Sequence, residues 1–159
     1  MDLEPLLRWL HVIGAAVLLG TGAGIAFFMV MAQRTGNAAT IAAVARIVVI
    51  ADFLFTATAV IAQPVTGYLL VRAIGWNLAE GWIALSLVLY VVTGLFWLPV
   101  VWIQIRLRDL AVMAEEQGIS LPHQFHRLYR IWFAAGFPAF VAVLAILWLM
   151  VTRPAIAFP

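Results

Sequence analysis

The chain has few charged residues and lacks both cysteine and lysine. Only 10% of its 159 residues are charged and 66% are hydrophobic, whereas an average soluble domain carries about 25% charged residues. The missing cysteine excludes disulfides, thiolate metal sites, iron–sulfur clusters and thioether-linked haem. A net charge of +2 without a basic stripe does not indicate nucleic-acid binding. Too few polar residues remain to cover a soluble core, so the excess apolar surface must face lipid.

Four long hydrophobic stretches predict helices that cross a bilayer. A span of about 20 apolar residues covers the hydrocarbon core, and within lipid such a span must be helical to satisfy its backbone. The short connections between the stretches favour antiparallel neighbours. We therefore predict an all-α, integral membrane four-helix up-down-up-down bundle, forming a single transmembrane domain over residues 1–159, with helices at about 5–32, 41–72, 82–108 and 127–152.

The arginines predict the orientation of this bundle. Arg8, Arg72 and Arg153 fall on the side that holds both chain termini. Six fall on the opposite side, namely Arg34, Arg46, Arg106, Arg108, Arg127 and Arg130. Cytoplasmic loops carry the excess of basic residues, which places the termini in the periplasm. The many alanines and the use of arginine alone favour a bacterial inner membrane protein, with the lipid bilayer as its first partner.

His11 is the one histidine predicted to lie inside a span, and two interpretations of it remain open. Beside Gly14 it leaves room for a flat ligand such as haem b, with Met150 as a second axial ligand and Gln63 bonded to the free imidazole nitrogen. His123 and His126 lie on the opposite side and cannot readily complete a bis-histidine pair. The alternative is an interfacial histidine among packing glycines.

Asp52 is a carboxylate within the second predicted span, where a lone charge costs several kcal/mol. We expect it to pair with Arg106 or Arg130, or with Gln104, at the cytoplasmic ends of the third and fourth helices. Such a pair either fixes the bundle or carries a proton or ion step.

Three functions from different classes therefore stay open. The first is haem-based electron transfer or porphyrin handling at His11, and the second is a small transport or permeation component that uses Asp52. The third is a structural subunit of a homo-oligomer or larger membrane complex, packing through the glycines of residues 20–24. Hydrolase and nucleotide-binding motifs are missing, and whether the chain is an enzyme stays undecided.

Three blocks of sequence resemble a known family. They read LLRWLHVIGAAVLLGTGAGIAFFM at 6–29, WLPVVWIQIRLRDLA at 97–111 and HRLYRIWFAAGFPAFVAVLAILWLMV at 126–151. Their order and spacing are similar to a bacterial family of predicted integral membrane proteins, domain of unknown function 2269. That family looks distantly like copper-resistance D-like membrane proteins and a protoporphyrinogen oxidase-like group, which place a histidine in an early helix. The resemblance implies a membrane location and, through the distant groups, haem b at His11.

Overall fold

The computed structural model describes residues 3–156 and consists of long helices. They are α1 (Glu4–Thr35), α2 (Ala38–Ile74), α3 (Gly81–Gln117) and α4 (His123–Thr152), and each is long and apolar enough to cross a membrane. This confirms the prediction of an all-α four-helix bundle. The ends of the predicted domain, residues 1–2 and 157–159, lie outside the described residues.

The connection between α1 and α2 is only two residues long, and the sequence explains why. Gly36 adopts a left-handed conformation with φ of 65°, which ends α1 at little steric cost. Asn37 then accepts a hydrogen bond through its side chain from the backbone N–H of Thr40 at 2.9 Å, which caps the start of α2. So tight a turn forces the two helices to run antiparallel and side by side.

Helices α3 and α4 extend beyond the predicted boundaries at 108 and 127. The prediction was wrong here because it counted charged residues as a loop, whereas a helix that leaves the membrane can continue with one apolar face. Leu107, Ala111 and Ala114 recur at helical spacing and are fully buried. The connection shrinks to the segment around Gly118, whose φ of 61° ends α3.

The bundle is tightly packed at the end that holds the α1–α2 and α3–α4 connections, called here the loop end. All four helices contribute buried side chains to one core there, including Met29, Ile41, Leu107, Phe125 and Trp132. Small residues of α2, such as Ala42 and Ala45, allow α3 to approach closely.

The opposite end, which holds the chain termini and is called the terminal end, is packed differently. Here α2 packs on α1, while α3 packs on α4, and these two pairs diverge from one another. A small cluster of Val71, Trp82 and Ile83 joins them, with Trp76 and Met150 against it. The ring centroids of Trp76 and Trp82 lie 5.2 Å apart in an edge-to-face arrangement, and Trp82 is 7% exposed, so these two rings meet inside the bundle.

A π-helical segment interrupts α2 at Asp52–Thr56. The backbone N–H of Ala57 bonds to the carbonyl of Asp52, five residues earlier, which inserts one extra residue into the turn. Such bulges are rare and often lie at functional sites. The bulge shifts which face of α2 the following residues present, and this shift coincides with the point where the helix pairs separate.

Candidate functional site

A long cavity of about 660 Å³ lies between the two diverging helix pairs. It runs from Trp82 near the terminal end to Gln104 above the loop-end core, about 33 Å along α3 at 1.5 Å per residue. Its volume falls within the range of about 300–1,000 Å³ that is usual for small-molecule sites. Its lining is almost entirely apolar and aromatic, with a few polar side chains at each end.

The cavity opens sideways, toward the space that lipid occupies. Phe133 and Phe137 of α4 line it and are 52% and 66% exposed. Tyr68 of α2 and Leu87 of α3 line it on the other flank and are 52% and 45% exposed. Side chains that both line the cavity and reach the outer surface form its two lateral margins. An apolar molecule dissolved in the bilayer can therefore enter without crossing water.

His11 lies at the terminal end of the cavity, and its hydrogen bonds indicate which imidazole nitrogen carries the proton. Its Nδ1 lies 3.0 Å from the hydroxyl of Thr66. The same hydroxyl lies 2.8 Å from the backbone carbonyl of Ala62, and when it donates its proton there it accepts from Nδ1–H. The neutral ring then carries its lone pair on Nε2, which has no hydrogen-bond partner among residues 3–156. This is the arrangement in which histidine binds metals, with one nitrogen held and the other free.

Two glycines let α1 and α2 approach closely enough to place this histidine. A Cβ atom on Gly67 would lie 3.1 Å from His11 Cε1, so the imidazole packs directly on the backbone of α2. A Cβ atom on Gly14 would lie 2.4 Å from Gln63 Nε2, so the amide of Gln63 occupies the space above α1. Each glycine therefore makes room for a polar side chain of the facing helix.

Gln63 and Met150, the other predicted cofactor residues, both line the cavity. Gln63 differs from its predicted role, because its amide donates to the backbone carbonyl of His11 at 2.8 Å and Thr66 holds the imidazole instead. Met150 packs against the cluster that contains Val71. Val71 lies one helical turn beyond Gly67 on α2, and Gly67 contacts His11. His11 and Met150 thus flank the same end of the cavity.

Asp52 lies at the other end of the cavity, about 22 Å from the level of His11 along α2. It is 5% exposed, and its neighbours are the hydroxyl of Thr56, four residues further along α2, and Trp97 Nε1, which is 3.5 Å away. That separation is longer than a normal hydrogen bond. Thr56 is also 5% exposed. Two buried polar groups, neither of them paired with a basic side chain of residues 3–156, therefore line the cavity.

The structure does not form the predicted ion pair of Asp52 with Arg106 or Arg130. Both arginines are exposed, and no basic side chain of the described residues lies within 4.0 Å of Asp52. The helical positions explain this, because α3 directs Arg106 away from the core that Leu107 enters.

A second polar contact forms the floor of the cavity. Gln104, the other predicted neighbour of Asp52, is 2% exposed and accepts from Trp132 Nε1 at 3.2 Å. It also approaches the backbone carbonyl of Val48 at 3.5 Å. Gln104 therefore joins α3 to α4 and α2 beneath the cavity, which closes it toward the loop end.

The glycines of residues 20–24 are not in close contact with other helices of the bundle. A Cβ atom on Gly20, Gly22 or Gly24 would meet nothing within 4 Å. Gly22 lines the cavity, whereas Gly20 and Gly24 do not, so the hypothesis of packing against another chain concerns Gly20 and Gly24.

Sequence reasoning missed three residues of the site, namely Thr66, Trp97 and Tyr90. The Tyr90 hydroxyl donates to the backbone carbonyl of Val60 and joins α3 to α2 halfway along the cavity. A tyrosine or tryptophan inside a span signals a polar atom that needs a partner, and that signal could have identified two of them.

In comparisons with known proteins, no curated protein and no solved structure matches the chain. Among residues 3–156 no three His, Cys, Asp or Glu side chains gather as a metal site. A family model described as predicted integral membrane protein matches residues 5–154, nearly the whole chain. The chain therefore belongs to the family of predicted integral membrane proteins known as domain of unknown function 2269 (DUF2269).

Proposed function

We propose that this protein binds a large, mainly apolar ligand in its intramembrane cavity, and that the ligand at the terminal end is haem b or a related porphyrin. The observation that carries the proposal is His11, whose Nδ1–H is held by Thr66 while Nε2 is free beside the cavity. An apolar pocket with a few fixed polar groups is the usual form of a cofactor site.

The residues present fit such a group. The cavity has a volume of about 660 Å³, within the range usual for small-molecule sites, and the flanking Phe and Trp side chains give it apolar walls. His11 would hold the haem iron through Nε2, and Met150 on α4 is the candidate for a second ligand. Haem held in this way supplies one-electron redox chemistry, while the protein contributes ligation, orientation and exclusion of water. The distant resemblance of the Leu10–His11 block to haem-associated membrane proteins supports the same ligand.

The absorption spectrum of the purified protein tests this proposal. Protein from haem-replete cells should show a Soret band, and His11→Ala should lose it. His123→Ala is the matched control, because this exposed histidine begins α4 at the loop end, far from the cavity. Colourless wild-type protein, or a band that survives in His11→Ala, would refute haem ligation by His11.

A second candidate function, a small transport or permeation component, is favoured by the surroundings of Asp52. The carboxylate lines the cavity and has no arginine beside it, as a proton or ion step within the membrane requires. Proteoliposomes carrying a pH-sensitive dye should then show proton flux that Asp52→Asn removes. Equal flux in protein-free liposomes would exclude this function.

Both candidate functions require that the protein is inserted in a membrane. The excess of arginines at the loop end supports insertion in a bacterial inner membrane with both termini in the periplasm. The expectation of a homo-oligomer or a membrane-complex partner is supported by the open space at Gly20 and Gly24 of α1. A C-terminal reporter that is active only in the periplasm tests the orientation.

A further inference from the structure

The Asp52 end of the cavity holds one carboxyl group and, among the described residues, no basic side chain to balance a negative charge on it. Of the described residues that line the cavity, Asp52 is the one carboxylate, and none is arginine or lysine. A carboxylate at this depth costs several kcal/mol unless it is paired, protonated or hydrated. Its neighbours are neutral donors, namely the Thr56 hydroxyl and Trp97 Nε1 at 3.5 Å, and neither supplies a positive charge.

The surroundings of Asp52 favour an organic cation rather than a metal ion. Calcium and magnesium prefer several oxygen ligands that include more than one carboxylate, whereas Asp52 is the one carboxylate among the described residues that line the cavity. The walls instead contain the indole rings of Trp97 and Trp132 and the phenol ring of Tyr90. Aromatic faces attract cations, and the attraction grows when the cation is desolvated.

The lateral openings restrict how such a ligand arrives. The margins at Phe137 and Leu87 are apolar, so the route from the bilayer favours molecules that already dissolve in lipid. The ligand therefore needs an apolar body, to partition and to fill the cavity, and a single positive charge, to match Asp52.

We propose that the Asp52 end of the cavity binds lipophilic organic monocations, with the carboxylate as counter-ion and the aromatic rings as the surrounding wall. This inference rests on the proposed function only in that the cavity takes up ligand from the membrane. It does not depend on haem, because His11 lies about 22 Å away along α2.

The test is equilibrium binding of radiolabelled tetraphenylphosphonium to the full chain in lipid nanodiscs. Wild type should bind it saturably, and Asp52→Asn should weaken binding by about tenfold or more, as the loss of a charge-assisted contact does. Asp109→Asn is the matched control, because it also removes one carboxylate from a helix, but this one is exposed and pairs with Arg108 at 2.7 Å. It should bind like wild type.

Two further measurements keep the result interpretable. Tetraphenylborate has nearly the same shape and the opposite charge, so wild type should prefer the phosphonium, a comparison that needs no variant. His11→Ala should lose any Soret band and still bind tetraphenylphosphonium, which separates this inference from the haem proposal. No saturable binding by wild type, equal affinity for the two ions, or unchanged affinity in a folded Asp52→Asn protein would each overturn it.

Discussion

Replacement of Gly14 by alanine tests the close packing of α1 on α2 that places His11. A Cβ atom at this position would lie 2.4 Å from Gln63 Nε2, so the amide must move and lose its hydrogen bond to the His11 carbonyl. Loss of a buried hydrogen bond costs about 1–3 kcal/mol. Alanine gains up to about 1 kcal/mol over glycine within a helix. Together, the lost hydrogen bond and the gain in helix propensity predict that Gly14→Ala lowers the free energy of unfolding by about 0–2 kcal/mol.

Gly20→Ala on the same helix is the matched control. A Cβ atom there meets nothing within 4 Å, so only the gain in helix propensity remains. The free energy of unfolding of Gly14→Ala should therefore fall below that of Gly20→Ala by about 1–3 kcal/mol, the value of the lost bond. Tryptophan fluorescence during SDS titration of the detergent-solubilised protein measures both, since the chain has seven tryptophans.

A double-mutant cycle assigns the effect to the clash. In a Gln63→Ala background the side chain that opposes the new methyl group is gone, so Gly14→Ala should behave like Gly20→Ala. If Gly14→Ala is as well tolerated as Gly20→Ala in the wild-type background, or if its cost persists without Gln63, the proposed packing of Gln63 over α1 is wrong.

Two further substitutions test the floor of the cavity and the core below it. Trp132→Phe removes the donor to buried Gln104 and should lower the free energy of unfolding by about 1–3 kcal/mol, whereas Trp148→Phe at a 68% exposed position should be neutral in the same SDS titration. Phe125 is fully buried at the loop end, and Phe125→Ala should cost about 3–5 kcal/mol. Phe137→Ala, at a 66% exposed position, should stay within about 0.5 kcal/mol; equal losses at both phenylalanines would show that the loop end is not the packed core.

The number and type of the helices could be predicted from the sequence because hydropathy and length determine them in lipid. The ends of α3 and α4 could not, since charged residues on a helix that leaves the membrane resemble a loop. Leu107 and Ala111 carried the helical periodicity that would have extended the prediction, but the charges around them obscured it.

The site was predicted in part. His11 and Asp52 stood out because ionisable residues within spans are costly, and both line the cavity. Their partners could not be assigned, because depth along a helix can be counted from the sequence but rotation about its axis cannot. The π-helical segment at Asp52–Thr56 changes that rotation by one residue, and no residue pattern announces it. The sequence therefore favoured Arg106 for a position where the structure places Trp97.

Native mass spectrometry of the protein released from its own membrane most directly tests the central claim that the cavity holds a ligand. Wild-type protein should carry a non-covalent adduct, and Gly94→Phe should lose it. Gly94 lines the cavity, and a Cβ atom there meets nothing within 4 Å, so the backbone has room for a side chain whose ring then occupies part of the cavity. Bare wild-type protein, or an adduct that remains equally in Gly94→Phe, would contradict the account.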